Sequence, residues 1–128
     1  MATITYGTAG SVGTPGTLTY GAPYTIDVNT DAELNLSART TGYITVAITP
    51  GALISATRGV LVECFRQYSA TTTNFETIAA YSYTMPSAVA STLESHTIVV
   101  TPGKYSVKLT NLDATYTVTF SITADYLS

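Results

Sequence analysis

The sequence predicts an all-β protein, a single antiparallel β-sandwich of jelly-roll type with about eight strands. Three observations predict this fold class. The segment from residue 116 to residue 126 alternates apolar and hydroxyl side chains, which is typical of a strand with one buried and one wet face. Only 10% of the residues are charged, while Thr and Tyr, which suit pleated surfaces, are abundant. Turn residues separate the apolar runs at short intervals.

A chain of 128 residues is the usual size of one domain. Its first part differs from the remainder because it is rich in glycine, at positions 7, 10, 13, 16 and 21. Glycine at this density opposes a rigid core strand. We therefore predict an extended arm over residues 1–22, which pairs with a sheet edge or a neighbouring subunit, and a β-sandwich domain over residues 23–128. The alternative for residues 1–22 is a terminus without fixed structure.

The elements follow in order from the alternation of apolar residues. The expected strands are Tyr24 to Val28; a second strand or a continuation with Leu34 and Leu36; Ile44 to Ile48; Val60 to Gln67; Thr77 to Tyr83; and a closing meander of three strands from His96 to Tyr126. In the last strand one face is assigned to the core; its residues are Tyr116, Val118, Phe120, Ile122, Ala124 and Tyr126.

The connections between these strands carry recognisable turn chemistry. The tripeptide Thr-Pro-Gly occurs at residues 14–16, 49–51 and 101–103, and it favours a type II turn with positive φ at the glycine. Residues 69–74 are predicted to form a loop. Residues 86–94 are compatible with one helical turn or with an ordered loop.

The charge distribution excludes some classes of partner. The net charge is −3 and the pI is about 4.7, and the five basic residues are scattered, so we expect no nucleic-acid partner. No run of residues is long and apolar enough to predict a membrane-spanning helix, and we expect no membrane partner. The N-terminus lacks the pattern of a signal peptide. Sparse charge gives weak protection against self-association, which favours a homo-oligomer.

The residue types needed for catalysis are few. The single histidine, His96, follows Ser95 and Glu94, but no nucleophile-elbow pattern is present. Cys64 shares a strand face with Val60 and Val62, which predicts a buried thiol; a Cys64–His96 pair is the alternative. One His and one Cys do not make a zinc site. We therefore predict a protein that is not an enzyme, with no catalytic, cofactor-binding or metal-binding residues and no cofactor.

One polar constellation resembles the start of a Ca²⁺ loop. Asp27, Asn29, Asp31 and Glu33 are spaced by two, but Ala32 and Ala38 stand where such a loop needs glycine and a bidentate glutamate. The favoured interpretation is the solvent face of a strand or hairpin, and a cation site of another geometry is the alternative.

The tyrosines permit two interpretations. They could stack on sugars, or they could supply core and interface area, which is the favoured use because most of them fall within strand patterns. The ten tyrosines are Tyr6, Tyr20, Tyr24, Tyr43, Tyr68, Tyr81, Tyr83, Tyr105, Tyr116 and Tyr126.

Two resemblances bear on function. The run from Thr101 to Thr110, followed by residues 116–122, is similar to the final hairpin of secreted jelly-roll modules. The glycine-rich arm, threonine-rich surface and sparse charge together resemble small phage virion accessory proteins such as capsid decoration (cement) proteins. The second resemblance implies a structural protein on the capsid surface, made in the host cytoplasm, which forms a homo-oligomer and contacts a major capsid protein. The alternative is a carbohydrate-binding or adhesion module that uses surface tyrosines.

Overall fold

The computed structural model describes residues 5–28, 31–50, 59–68, 74–85, 93–114 and 117–128, in which nine strands form two antiparallel sheets. The first sheet contains β1 (Tyr6–Ser11), β2 (Gly16–Leu18), β4 (Thr41–Pro50), β7 (Glu94–Val100) and β9 (Val118–Leu127). The second contains β3 (Tyr24–Asp27), β5 (Val60–Arg66), β6 (Tyr81–Met85) and β8 (Tyr105–Asn111). No α-helix occurs among the described residues, and the predicted β-sandwich is confirmed.

The order of the strands is that of a jelly roll. The first sheet has the order β1-β9-β4-β7, with β2 also paired to β9, and the second has the order β3-β8-β5-β6. The chain therefore pairs in a nested way, with β2 on β9, β3 next to β8, β4 on β7 and β5 on β6. A long hairpin that is rolled up into two sheets produces this nesting.

The core lies between the two sheets and follows the alternation seen in the sequence. On β9 the side chains of Val118, Phe120, Ile122 and Ala124 are buried, as predicted. The inward positions of β4 and β5 are also buried; they are Ile44, Val46, Ile48, Val60, Val62 and Cys64. Because one face of each strand supplies the core, the alternate side chains lie on the outer faces of the two sheets.

The glycine-rich N-terminal segment pairs with a sheet edge of its own chain. β1 runs along the end of β9 from Leu127 to Thr123, and β2 runs along its beginning. Between them the backbone N–H of Val12 donates to the Ile122 carbonyl at 2.8 Å. Val12 and Leu18 are both 1% exposed, so this segment contributes to the core. The domain division between residues 22 and 23 stays a prediction.

The predicted strand around Leu34 and Leu36 is wrong. Ala32–Leu34 form a short 3₁₀ helix, and Asn35 makes an isolated bridge to Lys104. Asp31 caps this helix through its side chain, which favours a helical turn over a strand. Leu34 and Leu36 are nevertheless fully buried, because a 3₁₀ turn and an extended residue can also place alternate side chains on one side.

The predicted pairing of the three strands in the closing meander is also wrong. β7 and β9 belong to the first sheet and β8 to the second, so the segment around residues 101–103 crosses between sheets and does not close a hairpin. Glycines with positive φ in the described part of the chain are Gly10, Gly13 and Gly21. Gly16 and Gly103 therefore do not form the predicted type II turns, and Gly51 lies outside the described residues.

One further predicted strand differs in its boundaries. The strand expected at Thr77 begins at Tyr81 and ends at Met85, and Ile78, which precedes it, is 82% exposed. Of the two uncertain connections, residues 69–73 and 86–92 lie outside the described residues.

Candidate functional site

The residues considered for catalysis lie in structural positions. Cys64 points into the core from β5, and burial raises the pKa of its thiol from 9.0 to about 12. The thiol therefore stays protonated near neutral pH, whereas a nucleophilic cysteine needs the thiolate. The ring of His96 is stacked on Tyr83, with ring centroids 3.6 Å apart and planes inclined by 7°. This stack bridges the edge strands β6 and β7, which belong to different sheets.

The buried thiol predicts a loss of stability at high pH. The folded protein keeps the Cys64 proton up to about pH 12, whereas the unfolded chain releases it above about pH 9. Above about pH 9 the unfolded state therefore binds fewer protons than the folded state. The contribution of the Cys64 thiol to the free energy of unfolding is complete below pH 9 and is lost as the pH rises toward 12. Over that range the free energy of unfolding falls by on the order of 1 kcal/mol per pH unit because of this group.

Urea unfolding of the wild type and of Cys64→Ala at several alkaline pH values measures this contribution. The variant is expected to start from a lower stability, because it leaves a cavity, and to fall less steeply with pH. Parallel pH dependences would show that the thiol of Cys64 ionises as readily in the folded protein as in the unfolded chain.

The carboxylates of the resembled Ca²⁺ loop are only partly brought together. Asp31 accepts hydrogen bonds from the backbone N–H of Gly13 at 2.5 Å and of Glu33 at 3.4 Å. This carboxylate thus ties the N-terminal segment to the 3₁₀ helix, at a glycine with a φ of +66°. Asn29 lies outside the described residues. Within the described part of the chain, no group of three or more His, Cys, Asp or Glu side chains is placed to hold a metal ion.

The outer face of the first sheet carries rows of hydroxyl groups. One row runs across four strands, from Ser11 to Thr123, Thr45 and Thr97, which are paired in register. A second row joins Thr17, Thr119 and Thr49. We call this surface the hydroxyl face; its residues are Ser11, Thr17, Thr45, Thr49, Ser95, Thr97, Thr119, Ser121 and Thr123.

Hydrogen bonds occur between strands on the hydroxyl face. The hydroxyls of Thr45 and Thr97 lie 2.9 Å apart, and the hydroxyl of Thr119 donates to the Thr49 carbonyl at 3.1 Å. Cross-strand pairs of this kind stabilise a sheet modestly. Each hydroxyl can both donate and accept, so the face suits a partner that presents mixed polar groups.

A tyrosine pair borders the hydroxyl face at one end. The rings of Tyr6 on β1 and Tyr43 on β4 have centroids 6.4 Å apart and planes inclined by 40°. A hydrogen bond to Asp125 is the main cause that raises the pKa of Tyr6. The aromatic pair and the carboxylate thus form one cluster. Within this cluster the Tyr6 side chain is 61% exposed to solvent.

The two outer faces of the sandwich differ in charge. At the outward strand positions of the first sheet in the described part of the chain, Asp125 is the one charged side chain. The second sheet carries Asp27, Glu63 and Lys108 on its outer face, and Glu63 lies directly opposite Lys108. The second sheet therefore has the charge of an ordinary wet surface, and the first does not.

Sequence patterns indicated only part of this surface. The alternation on β9 identified its hydroxyl side, but the rows depend on the register between strands that are distant in sequence. Tyr6 lies in the segment predicted to be an arm, and no local pattern indicates that it approaches Tyr43 and Asp125. The one signal in the sequence is that threonine recurs at outward positions of both strands, at Thr45 and Thr49 on β4 and at Thr119 and Thr123 on β9.

Comparisons with known proteins give little guidance. No protein-family model matches the sequence, and no curated protein matches it significantly. Among solved structures the chain is similar to the Yersinia pseudotuberculosis-derived mitogen (YPM), at 11% sequence identity and a TM-score of 0.39, over 97% of this chain and 86% of the mitogen. A likeness this distant carries no argument about function. In the described residues, no helix has the length and apolar character that crossing a membrane requires.

Proposed function

We propose that this protein is a non-enzymatic structural protein, a virion decoration (cement) protein that stabilises a capsid by packing its hydroxyl face against the shell. The single observation that carries the proposal is the near absence of charge on that face, in contrast to the second sheet. Depletion of charge and enrichment of tyrosine distinguish the centre of a protein interface from the remaining surface. The face is lined by hydroxyl groups, which can form hydrogen bonds with water while the protein is free in solution.

The threonine-rich face also suits contact between proteins on physical grounds. Thr97, Thr119 and Thr123 are exposed, and their β-branched side chains lose little conformational freedom when they are covered. Within this proposal the protein is made in the host cytoplasm and acts at the capsid surface, with a major capsid protein as its partner and with copies of itself as neighbours.

Co-sedimentation with shells assembled from the major capsid protein of the same virus tests the proposal. The wild type is expected to sediment with the shells, and Thr123→Glu is expected to bind at least about tenfold more weakly, because it buries an unpaired charge. The matched control is Thr25→Glu, an exposed threonine on the second sheet opposite Lys108, which should bind like the wild type. A wild type that stays in the supernatant, or equal effects of the two variants, would contradict the proposal.

A second candidate function is carbohydrate binding, and the Tyr6–Tyr43 cluster is the observation that favours it. Aromatic rings beside a carboxylate can stack on the apolar face of a sugar and accept hydrogen bonds from its hydroxyls. A glycan array probed with the wild type, Tyr6→Ala and the control Tyr68→Ala separates the possibilities. Binding that is lost in the first variant alone supports this function, and a silent array removes it.

A further inference from the structure

The strand β7 forms one edge of the first sheet. Among the described residues it pairs only with β4, from Gly42 opposite Val100 to Ile48 opposite Glu94. One neighbour uses the N–H and C=O groups of alternate residues, and the other groups point away from the sheet. β7 therefore presents a row of backbone donors and acceptors over seven residues.

This edge has few of the usual devices that prevent pairing with another chain, since its one charged residue, Glu94, lies at its beginning. β7 contains no proline, glycine, lysine or arginine, and its register with β4 is unbroken. The opposite edge of the same sheet differs, because β1 contains glycine and has a register shift between Thr8 and Gly10. In the second sheet β3 is an edge of four residues that ends in Asp27. Among the edges of the described strands, β7 is thus the longest regular one.

The inner side of β7 is held in place. His96 stacks on Tyr83, and Ile98 and Val100 are buried in the core. The strand is therefore fixed against the core, and no described strand pairs with its side away from β4. On its outer side Val99 is 56% exposed, next to the hydroxyl of Thr97.

We propose that two copies of this chain pair edge to edge through β7, antiparallel and around a twofold axis at Thr97. Thr97 is the middle residue of the strand, so the pairing is self-complementary. On the outer face it places Thr97 opposite Thr97 of the second copy, and Ser95 opposite Val99. Glu94 lies opposite Val100, so the two carboxylates are at opposite ends of the contact and do not repel each other.

The consequence is a hydroxyl face of double width. The row Ser11–Thr123–Thr45–Thr97 ends at the free edge of β7, and in the dimer it continues into the same row of the second copy. This inference deepens the proposed function, because it gives the homo-oligomer a contact and enlarges the surface offered to a shell. The contact is small, so we expect the dimer to depend on concentration.

Disulfide trapping tests the twofold axis. Residues directly opposite in an antiparallel pair have Cα atoms about 4.5–5.5 Å apart, which is within the range of a disulfide. Thr97→Cys is therefore expected to form a covalent dimer under mild oxidation. The matched control Ser95→Cys is expected to remain monomeric, because its two cysteines lie on opposite sides of the axis. The native Cys64 is buried and does not interfere.

Sedimentation of the isolated protein, without shells, provides the second test. Thr97→Glu places two carboxylates opposite each other and is expected to weaken the dimer at least about tenfold, as is Thr97→Lys. A mixture of the two variants is expected to dimerise again. Thr123→Glu, which is distant from the axis, is expected to dimerise like the wild type although it loses shell binding.

The outcomes distinguish the two proposals. A wild type that is monomeric at every concentration, a Thr97→Cys variant that does not cross-link, or a dimer that Thr97→Glu leaves intact would overturn the edge pairing and leave the shell contact standing. A protein that dimerises as described but does not bind shells would overturn the proposed function alone.

Discussion

Phe120→Ala is expected to lower the free energy of unfolding by about 3–5 kcal/mol. Phe120 is 6% exposed on β9, between Gly16 of β2 and Ile48 of β4. Its ring meets that of Tyr24 on the second sheet, with centroids 4.6 Å apart. The substitution removes this contact between the sheets and leaves a cavity. Urea unfolding monitored by circular dichroism measures the loss.

The neighbouring Thr119→Ala is the matched control. Thr119 is exposed and makes one hydrogen bond to the Thr49 carbonyl, so its removal is expected to cost less than about 1 kcal/mol. Similar losses for the two variants would show that the faces of β9 are assigned wrongly.

Tyr105→Ala is the second substitution with a large expected effect, again about 3–5 kcal/mol. Tyr105 is fully buried at the start of β8, immediately after the chain crosses from the first sheet to the second. Its hydroxyl donates to the Thr101 carbonyl at 2.5 Å, and its ring lies near that of Tyr81. The side chain thus fills the core and also closes the crossover.

Tyr105→Phe separates these two contributions. It keeps the ring and removes the hydrogen bond, so a loss of about 1 kcal/mol is expected. The comparison is made by urea unfolding of both variants. If Tyr105→Phe were as destabilising as Tyr105→Ala, the hydrogen bond and not the packing of the ring would hold the crossover.

The fold could be predicted from the sequence where one strand carries its own signal. The alternation on β9 places Phe120 in the core without knowledge of any partner strand. The crossover at residues 101–103 shows the limit, because the same turn residues serve a hairpin and a connection between sheets. The 3₁₀ helix at Ala32–Leu34 is not evident from the sequence, because the spacing of Asp31 and Glu33 also fits the outer face of a strand.

The candidate surface was less predictable than the fold. Its hydroxyl rows arise from β1, β9, β4 and β7, and their alignment is a property of the pairing, which no local pattern contains. The Tyr6–Tyr43 contact likewise requires the N-terminal segment to follow β9. The sequence could only indicate that threonine would be exposed and charge scarce.

The hydroxyl face and the β7 edge are different surfaces with different expected partners. The face is proposed to cover a shell, and the edge is proposed to join two copies. Thr97 belongs to both surfaces, so its variants can affect shell binding and dimerisation alike. Thr123 lies on the hydroxyl face alone, and Thr123→Glu therefore serves as the comparison.

A cryo-electron microscopy reconstruction of decorated shells tests the central claim most directly. The proposed function predicts the first sheet turned toward the shell, with Thr45, Thr119 and Thr123 in contact with the capsid protein and Glu63 and Lys108 facing solvent. The opposite orientation, with the charged sheet on the shell and the hydroxyl face in solvent, would contradict it.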